Sequence, residues 1–235
     1  IEAGSAAWLT NSAIAQSDDG SIVITATARA TDESDTSNAG PETAITYHPP
    51  VLALGVGCER GCPVDDLYDL VMETLAGQCL SPKAIACVSS IDLKADEAAV
   101  HELANRLGVP ARFFDAATLE AEADRLVTPS DVVFAETGCH GVAEGAALAT
   151  VGATGKLIVP KHKTKKSTCA VALSQDDIIP ENIGTAQGRL SIVGIGPGQI
   201  GWRSPEATAL IGRATDIVGY QMYLDLLGPL IDGKH

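Results

Sequence analysis

The run VLALGVG (51–57) decides the fold. Seven residues without a charge, closing on glycines, read as a strand covered on both faces, because a strand with one wet face alternates apolar and polar side chains. The residues after it supply the cover. Pro63 suits a first helical position, Asp65 and Asp66 suit the first turn, and Leu67, Val71 and Leu75 recur four apart as a buried stripe. AIACVSS (84–90) repeats the strand signal. It leads through IDLKADE into a helix over 97–107 whose Val100, Leu103, Ala104 and Leu107 share one face, with Gly108 ending it.

ARFF (111–114) is a short third strand, and Asp115 is placed to cap a helix from Ala116. Ser130 caps a further short helix, another helix lies within 138–150, and KLIVP (156–160) and STCAVAL (167–173) are the last strands. The expectation for residues 51–174 is an α/β domain with a mostly parallel sheet and helices on both faces. The last two strands are joined by so few residues that this pair is open to an antiparallel arrangement.

The flanks differ in texture. Residues 1–50 contain one strand signal, SIVITATA (21–28), then ARATDESDTSNAGPETA (28–44), whose composition reads as loop; the region is expected to be an incomplete upstream piece with an acidic linker. Residues 175–187 read as a second linker. A further α/β domain is expected to open near Gly188, with RLSIVGIGPG (189–198) as a strand running into a glycine loop, a helix begun by Ser204 and Pro205, DIVGY (216–220) as a second strand and MYLDLL (222–227) as a helix. Residues 188–235 are too few to close a nucleotide-binding core, so the expectation is a piece of a longer parent.

Thirty acidic residues against 16 basic ones give a formal charge of -14, which argues against a general affinity for nucleic acid or for an anionic membrane. The bases concentrate in residues 51–174, making that region the place for a local anion site. No apolar run approaches the roughly 20 residues of a membrane span. The six cysteines are spread along the chain rather than set at disulfide-scaffold spacings, and a cytoplasmic protein with reduced thiols is expected.

Five stretches carry candidate chemistry. GVGCERGC (55–62) ends a strand at the sheet edge where ligands bind, and Arg60 can meet a carboxylate there. Its Cys58 and Cys62 have no companion Cys or His pair at zinc spacing, so packed thiols are expected and no metal. In SSIDLKADE (89–97) the carboxylates either cap backbone amides or, as Asp92 or Glu97, act on a proton while Lys94 binds an acidic substrate. In GCHGVAEGAA (138–147) His140 and Glu144 are four apart. If His140 begins the helix they either cooperate as proton carriers or bind a cation; otherwise Glu144 accepts backbone hydrogen bonds from a neighbouring loop. PKHKTKKST (160–168) sets Lys161, Lys163, Lys165 and Lys166 around His162, either facing solvent only or gathering a substrate with several carboxylates. In VGIGPG (193–198) the glycines allow close ligand approach, but the lysine and hydroxyl of a phosphate-binding P-loop are absent.

Two family resemblances sharpen these readings. GVGCERG (55–61), SSIDLKADE (89–97), GCHGVAEGAAL (138–148) and LIVPKHKTKKSTCAVA (157–172) occur in order, and the stretch 47–174 resembles the carboxyl-terminal domain of cobalt-precorrin-5A hydrolase, also found alone in the aerobic cobalamin pathway. Glu59 stands where that family commonly has a basic residue, and Cys62 where a hydroxyl is frequent. Residues 189–235 resemble the beginning of precorrin-3B C(17)-methyltransferase, a tetrapyrrole methylase, through RLSIVGIGPG, SPEATALIGRATDIVGY and QMYLDLL; Trp202 and Arg203 replace a usual leucine and threonine.

The resemblances imply a fused cobalamin-biosynthesis protein. The hydrolase family opens the ring A lactone with release of acetaldehyde, through an activity that involves an upstream module missing here. For the domain at 51–174 they imply a carboxylated precorrin as ligand, with Asp92, Lys94 and Glu144 as catalytic candidates and Arg60, Lys161 and Lys163 as substrate-binding ones. For the last segment they imply S-adenosylmethionine as cofactor of the complete parent, with Gly194, Gly196, Pro197 and Gly198 shaping part of its site and no strong binding to this segment alone. Other pathway enzymes are the implied protein partners. A noncatalytic corrinoid-binding or pathway-assembly domain is the alternative of a different class.

Overall fold

The computed structural model describes residues 22–31, 43–187, 190–197 and 199–235, which divide after Gln187 into two compact units. The first unit is built on a five-stranded sheet. Leu52–Cys58 (β3), Ile85–Ile91 (β4) and Ala111–Phe114 (β5) run parallel. Lys156–Lys163 (β6) and Ser167–Leu173 (β7) complete the spatial order β5-β4-β3-β7-β6.

The alternation in β3 explains why both faces are covered. Leu52, Leu54 and Val56 point into a core made with Leu67, Val71 and Leu75 of helix α1 (Val64–Gly77) and Val100 and Leu103 of helix α2 (Ala98–Leu107). Each fully buried leucine contributes roughly 2 kcal/mol of transfer free energy. Ala53 packs on the opposite face against Ala147 and Val151 of helix α5 (Val142–Val151). Gly55 faces α5 so closely that a Cβ atom there would lie 2.0 Å from the Ala143 carbonyl oxygen. A small-residue face on the strand therefore sets the helix-to-sheet distance.

The short helices have local causes. Asp115 accepts the Thr118 amide at 2.7 Å and starts α3 (Ala116–Glu120). Ser130 accepts the Val133 amide and starts α4 (Asp131–Thr137). Gly108, at φ 69°, ends α2 in the left-handed conformation that favours glycine.

The expectation of a mostly parallel sheet is corrected. Two of its four pairings are parallel, and the β6–β7 and β3–β7 pairings are antiparallel. The three residues between β6 and β7 permit only a hairpin, and β7 then enters the sheet beside β3 in the reverse direction. Strand β1 (Ile22–Ala26) pairs in parallel with β2 (Thr43–Tyr47), a strand the sequence pattern does not signal; the intervening 32–42 lie outside the described residues. Past β1, Ala28 is buried in the α1 side of the core, its carbonyl accepts the Ser81 amide and the Ala30 amide donates to Cys79. The stretch after β7 is pinned as well, since Phe113 and Thr185 exchange both backbone hydrogen bonds at 2.8 Å.

The second unit contains α6 (Pro205–Arg213), capped by the Ser204 hydroxyl, and α7 (Gln221–Asp225). The strands expected at 189–198 and 216–220 are not formed among the described residues. Among the described residues the first stretch pairs with no strand and the second meets only His235, which accepts the Ile217 amide at 2.7 Å and donates to the Thr215 carbonyl at 3.1 Å, and Leu190, Ile192 and Val218 stand almost fully in solvent.

Candidate functional site

Three of the sequence motifs converge at the carboxyl end of β3. Ser90 donates its hydroxyl to the Val56 carbonyl at 2.8 Å, tying the end of β4 to β3. The turn after β3 then grips the turn after β4. The Arg60 guanidinium pairs with Asp96 and donates to the Leu93 carbonyl at 2.9 Å, and the Gly61 amide reaches both oxygens of the buried Glu97 carboxylate at 3.1 and 3.2 Å. Gly61, at φ 72°, supplies the positive φ this turn requires. Val142, which opens α5, lies against Gly57, bringing the third motif to the same edge.

The basic hairpin joins them. The Glu59 amide donates to the Lys166 carbonyl at 2.8 Å, and Thr168 donates its hydroxyl to Gly57 at 3.1 Å. At the foot of the hairpin Asp66 accepts the hydroxyls of Ser167 and Thr164, and these bonds hold its carboxyl below the usual range. Lys163, Lys165 and Lys166 are exposed, and their side chains make no hydrogen bond among the described residues. Lys161 differs: its ammonium donates to the Thr128 carbonyl at 3.0 Å.

Asp92 and Lys94 form the single 3-10 turn Asp92–Lys94 between β4 and α2, Asp92 exposed and Lys94 half-buried. Arg60, expected to meet a substrate, already has a carboxylate partner in Asp96. Glu144 is buried and accepts four hydrogen bonds, from the amides of Val127 (2.8 Å), Thr128 (3.0 Å) and Lys161 (2.8 Å) and from the Thr128 hydroxyl (2.9 Å). Burial raises its carboxyl, and the bonds from Lys161, Thr128 and Val127 outweigh that and hold it below the usual range.

His140 does not share a helix face with Glu144, because Gly141 is the N-cap of α5 and leaves His140 outside the helix. Its partner is Glu120, at the end of α3, which accepts the His140 backbone amide at 2.9 Å and lies 2.8 and 3.0 Å from Nδ1. Glu120 was missed in the sequence because nothing in its local spacing points across 20 residues to an imidazole.

Burial first, reinforced by Cys62 and Glu97, pushes the Cys58 thiol up to about 12, so it stays protonated and a poor ligand or nucleophile. Among the described residues no group of three or more His, Cys, Asp or Glu side chains is arranged to hold a metal ion.

The profile of the cobalamin synthesis G C-terminus family matches residues 52–172, the span from β3 to β7. The chain belongs to that family. It is 49% identical over 121 residues to Protein CobE from Sinorhizobium sp, covering 52% of this chain and 79% of that one. It is 35% identical over 132 residues to the cobalt-precorrin-5A hydrolase of Priestia megaterium, covering 56% of this chain and only 34% of that enzyme. The crystal structure of CobE, described as a protein from the cobalamin (vitamin B12) biosynthetic pathway, superposes with a TM-score of 0.50 at 36% identity, covering 52% of this chain and 89% of CobE. This is a cobalamin-biosynthesis protein, and the family span contains all the residues gathered at the sheet edge. No helix among the described residues is long and apolar enough to cross a membrane.

In the second unit Gly194 lies in open chain and Gly196, at φ 66°, begins a turn with Pro197. Gly198 lies outside the described residues. Gly194 and Gly196 border an open groove of about 1040 Å³ lined also by Leu190, Leu210, Ile217 and Tyr223.

Proposed function

We propose that the domain at 51–174 binds a multiply carboxylated precorrin at the carboxyl edge of its sheet and contributes to opening the precorrin lactone. The basic hairpin carries this reading. Exposed Lys163, Lys165 and Lys166 stand beside the turn at 59–61, in a protein of net charge -14 that has little reason to concentrate cations elsewhere. Family membership and the hydrolase relative support this choice of substrate class. In this reading Lys161 adds charge from a fixed position, Lys94 takes an acidic arm and Asp92 exchanges a proton. A substrate carboxylate takes the place of Asp96 at Arg60. Glu144, with four donors on its two oxygens, holds the 127–128 loop against β6 instead of moving a proton.

The test is an absorbance titration of wild type and the K163Q/K165Q/K166Q variant with a carboxylated tetrapyrrole and its neutral ester at two ionic strengths. The variant is expected to lose affinity for the acid, more at low salt, and little for the ester. Equal losses for both ligands at both salt concentrations overturn the reading.

We further assign residues 188–235 to the opening of a precorrin-3B methyltransferase that uses S-adenosylmethionine, with the activity residing in a longer parent and other pathway enzymes as partners. The groove beside Gly194 and Gly196 is open and largely apolar, with Asp216 among its few polar side chains, so these residues alone do not fit the donor. Labelled-methyl transfer is expected from the parent and not from this segment. Turnover by the segment comparable to the parent's contradicts the assignment.

A further inference from the structure

We infer that His140, oriented by Glu120, is the proton acceptor of a hydrolytic site on the first unit. The inference rests on the reading that this domain acts on a precorrin lactone, and deepens it by naming His140, in place of the exposed Asp92, as the base. Glu120 engages Nδ1 at 2.8 Å, which makes Nδ1 the protonated nitrogen and leaves the lone pair on Nε2. The same carboxylate accepts the His140 backbone amide at 2.9 Å, so ring and main chain are fixed together. Phe134 stacks on the imidazole with centroids 4.4 Å apart and 24° between planes, removing the remaining freedom of the ring. Among the described residues Nε2 makes no hydrogen bond; Asp131 Oδ1 lies 3.6 Å away, on a fully exposed side chain free to turn aside. The imidazole is 29% exposed, enough for water to reach it.

A base held by a carboxylate behind it and open in front has the arrangement that activates a nucleophile. Here the nucleophile is water. Nε2 takes one proton as the water oxygen bonds to the lactone carbonyl carbon. The ring C–O bond then breaks, and the leaving alkoxide takes the proton back from the imidazolium. One water is consumed, and a carboxylic acid and an alcohol are formed in the same molecule. Glu120 is a positioning residue in this step and stays ionised, since the His140 amide, ahead of the ring itself, holds its carboxyl below the usual range.

The experiment uses the full chain with a lactone-bearing precorrin, reading binding by absorbance and ring opening in the mass spectrum as the gain of one water, or as that gain less acetaldehyde where the opened side chain is then released. In His140→Asn the side-chain amide replaces Nδ1–H toward Glu120 but nothing replaces Nε2. It is expected to melt and bind as wild type while opening falls at least about a hundredfold. Glu120→Gln is expected to bind normally with a smaller loss, and added imidazole to restore part of the activity of His140→Ala, which a merely structural histidine would not show. Opening by His140→Asn at the wild-type rate overturns the inference, as does a wild type that binds the precorrin and leaves the lactone intact. Failure of wild type to bind instead defeats the underlying reading of the hairpin.

Discussion

Leu52–Cys58 and residues 190–195 look alike as sequence, each an apolar run punctuated by glycine, yet only the first is a strand. Strand β3 has β4 on one side, β7 on the other and a helix layer over each face. Residues 190–195 pair with no strand among the described residues, and Leu190 and Ile192 are exposed. The difference teaches that an apolar run encodes only the ability to be a strand. The neighbours decide whether it becomes one, because an unpaired extended chain gains neither ladder hydrogen bonds nor burial against its ordering entropy.

The sharpest way to break the comparison is at its glycines. Gly55→Val places side-chain atoms where the Ala143 carbonyl and the Ala147 amide already stand, and is expected to destabilise the first unit by about 3 kcal/mol or more, seen as a lowered melting temperature. Glu144→Gln comes next. It turns two acceptors into one acceptor and a donor facing three amides and a hydroxyl, at a cost of about 2–3 kcal/mol in denaturant unfolding.

Glu144 also carries a pH signature. A carboxyl held below its unfolded value stabilises the protein fully above the usual carboxylate range and loses that contribution as pH falls through its lowered native value. Wild type is therefore expected to lose stability on acidification more steeply than Glu144→Gln. Asp96→Asn removes an exposed ion pair that solvent screens, so its melting temperature is expected to stay close to that of wild type. Because it also frees Arg60, it should tighten a carboxylated tetrapyrrole in a titration. The smallest effect belongs to Gly194→Ala, where an added Cβ meets nothing within 4 Å; its unfolding midpoint should match wild type within about 0.5 kcal/mol.

Much of the first unit was legible because its signals are local. Asp115 and Ser130 cap where their side chains predict, Gly108 ends α2, and the apolar stripe of α1 follows its four-residue spacing. What depends on remote neighbours was not. The insertion of β7 between β3 and β6 is a choice of partner that no window of sequence contains. The Thr-rich strand β2 carries weak apolar alternation and follows an acidic stretch of sequence that hides it. At the candidate site, His140 was paired with Glu144 on helical spacing, which fails because the helix begins after Gly141. The carboxylate that does meet His140 comes from another helix.

On the proposed reading, the carboxyl edge of the β3–β4–β7 sheet is the tetrapyrrole site. Hydrogen exchange read by mass spectrometry on the full chain, with and without a carboxylated tetrapyrrole, tests it most directly. The account predicts added protection in peptides covering residues 58–62, 92–97 and 160–168, with little change at 78–84, 108–111 or 205–227. Protection confined to the opposite sheet edge or to residues 190–235, with the hairpin unchanged, would contradict it.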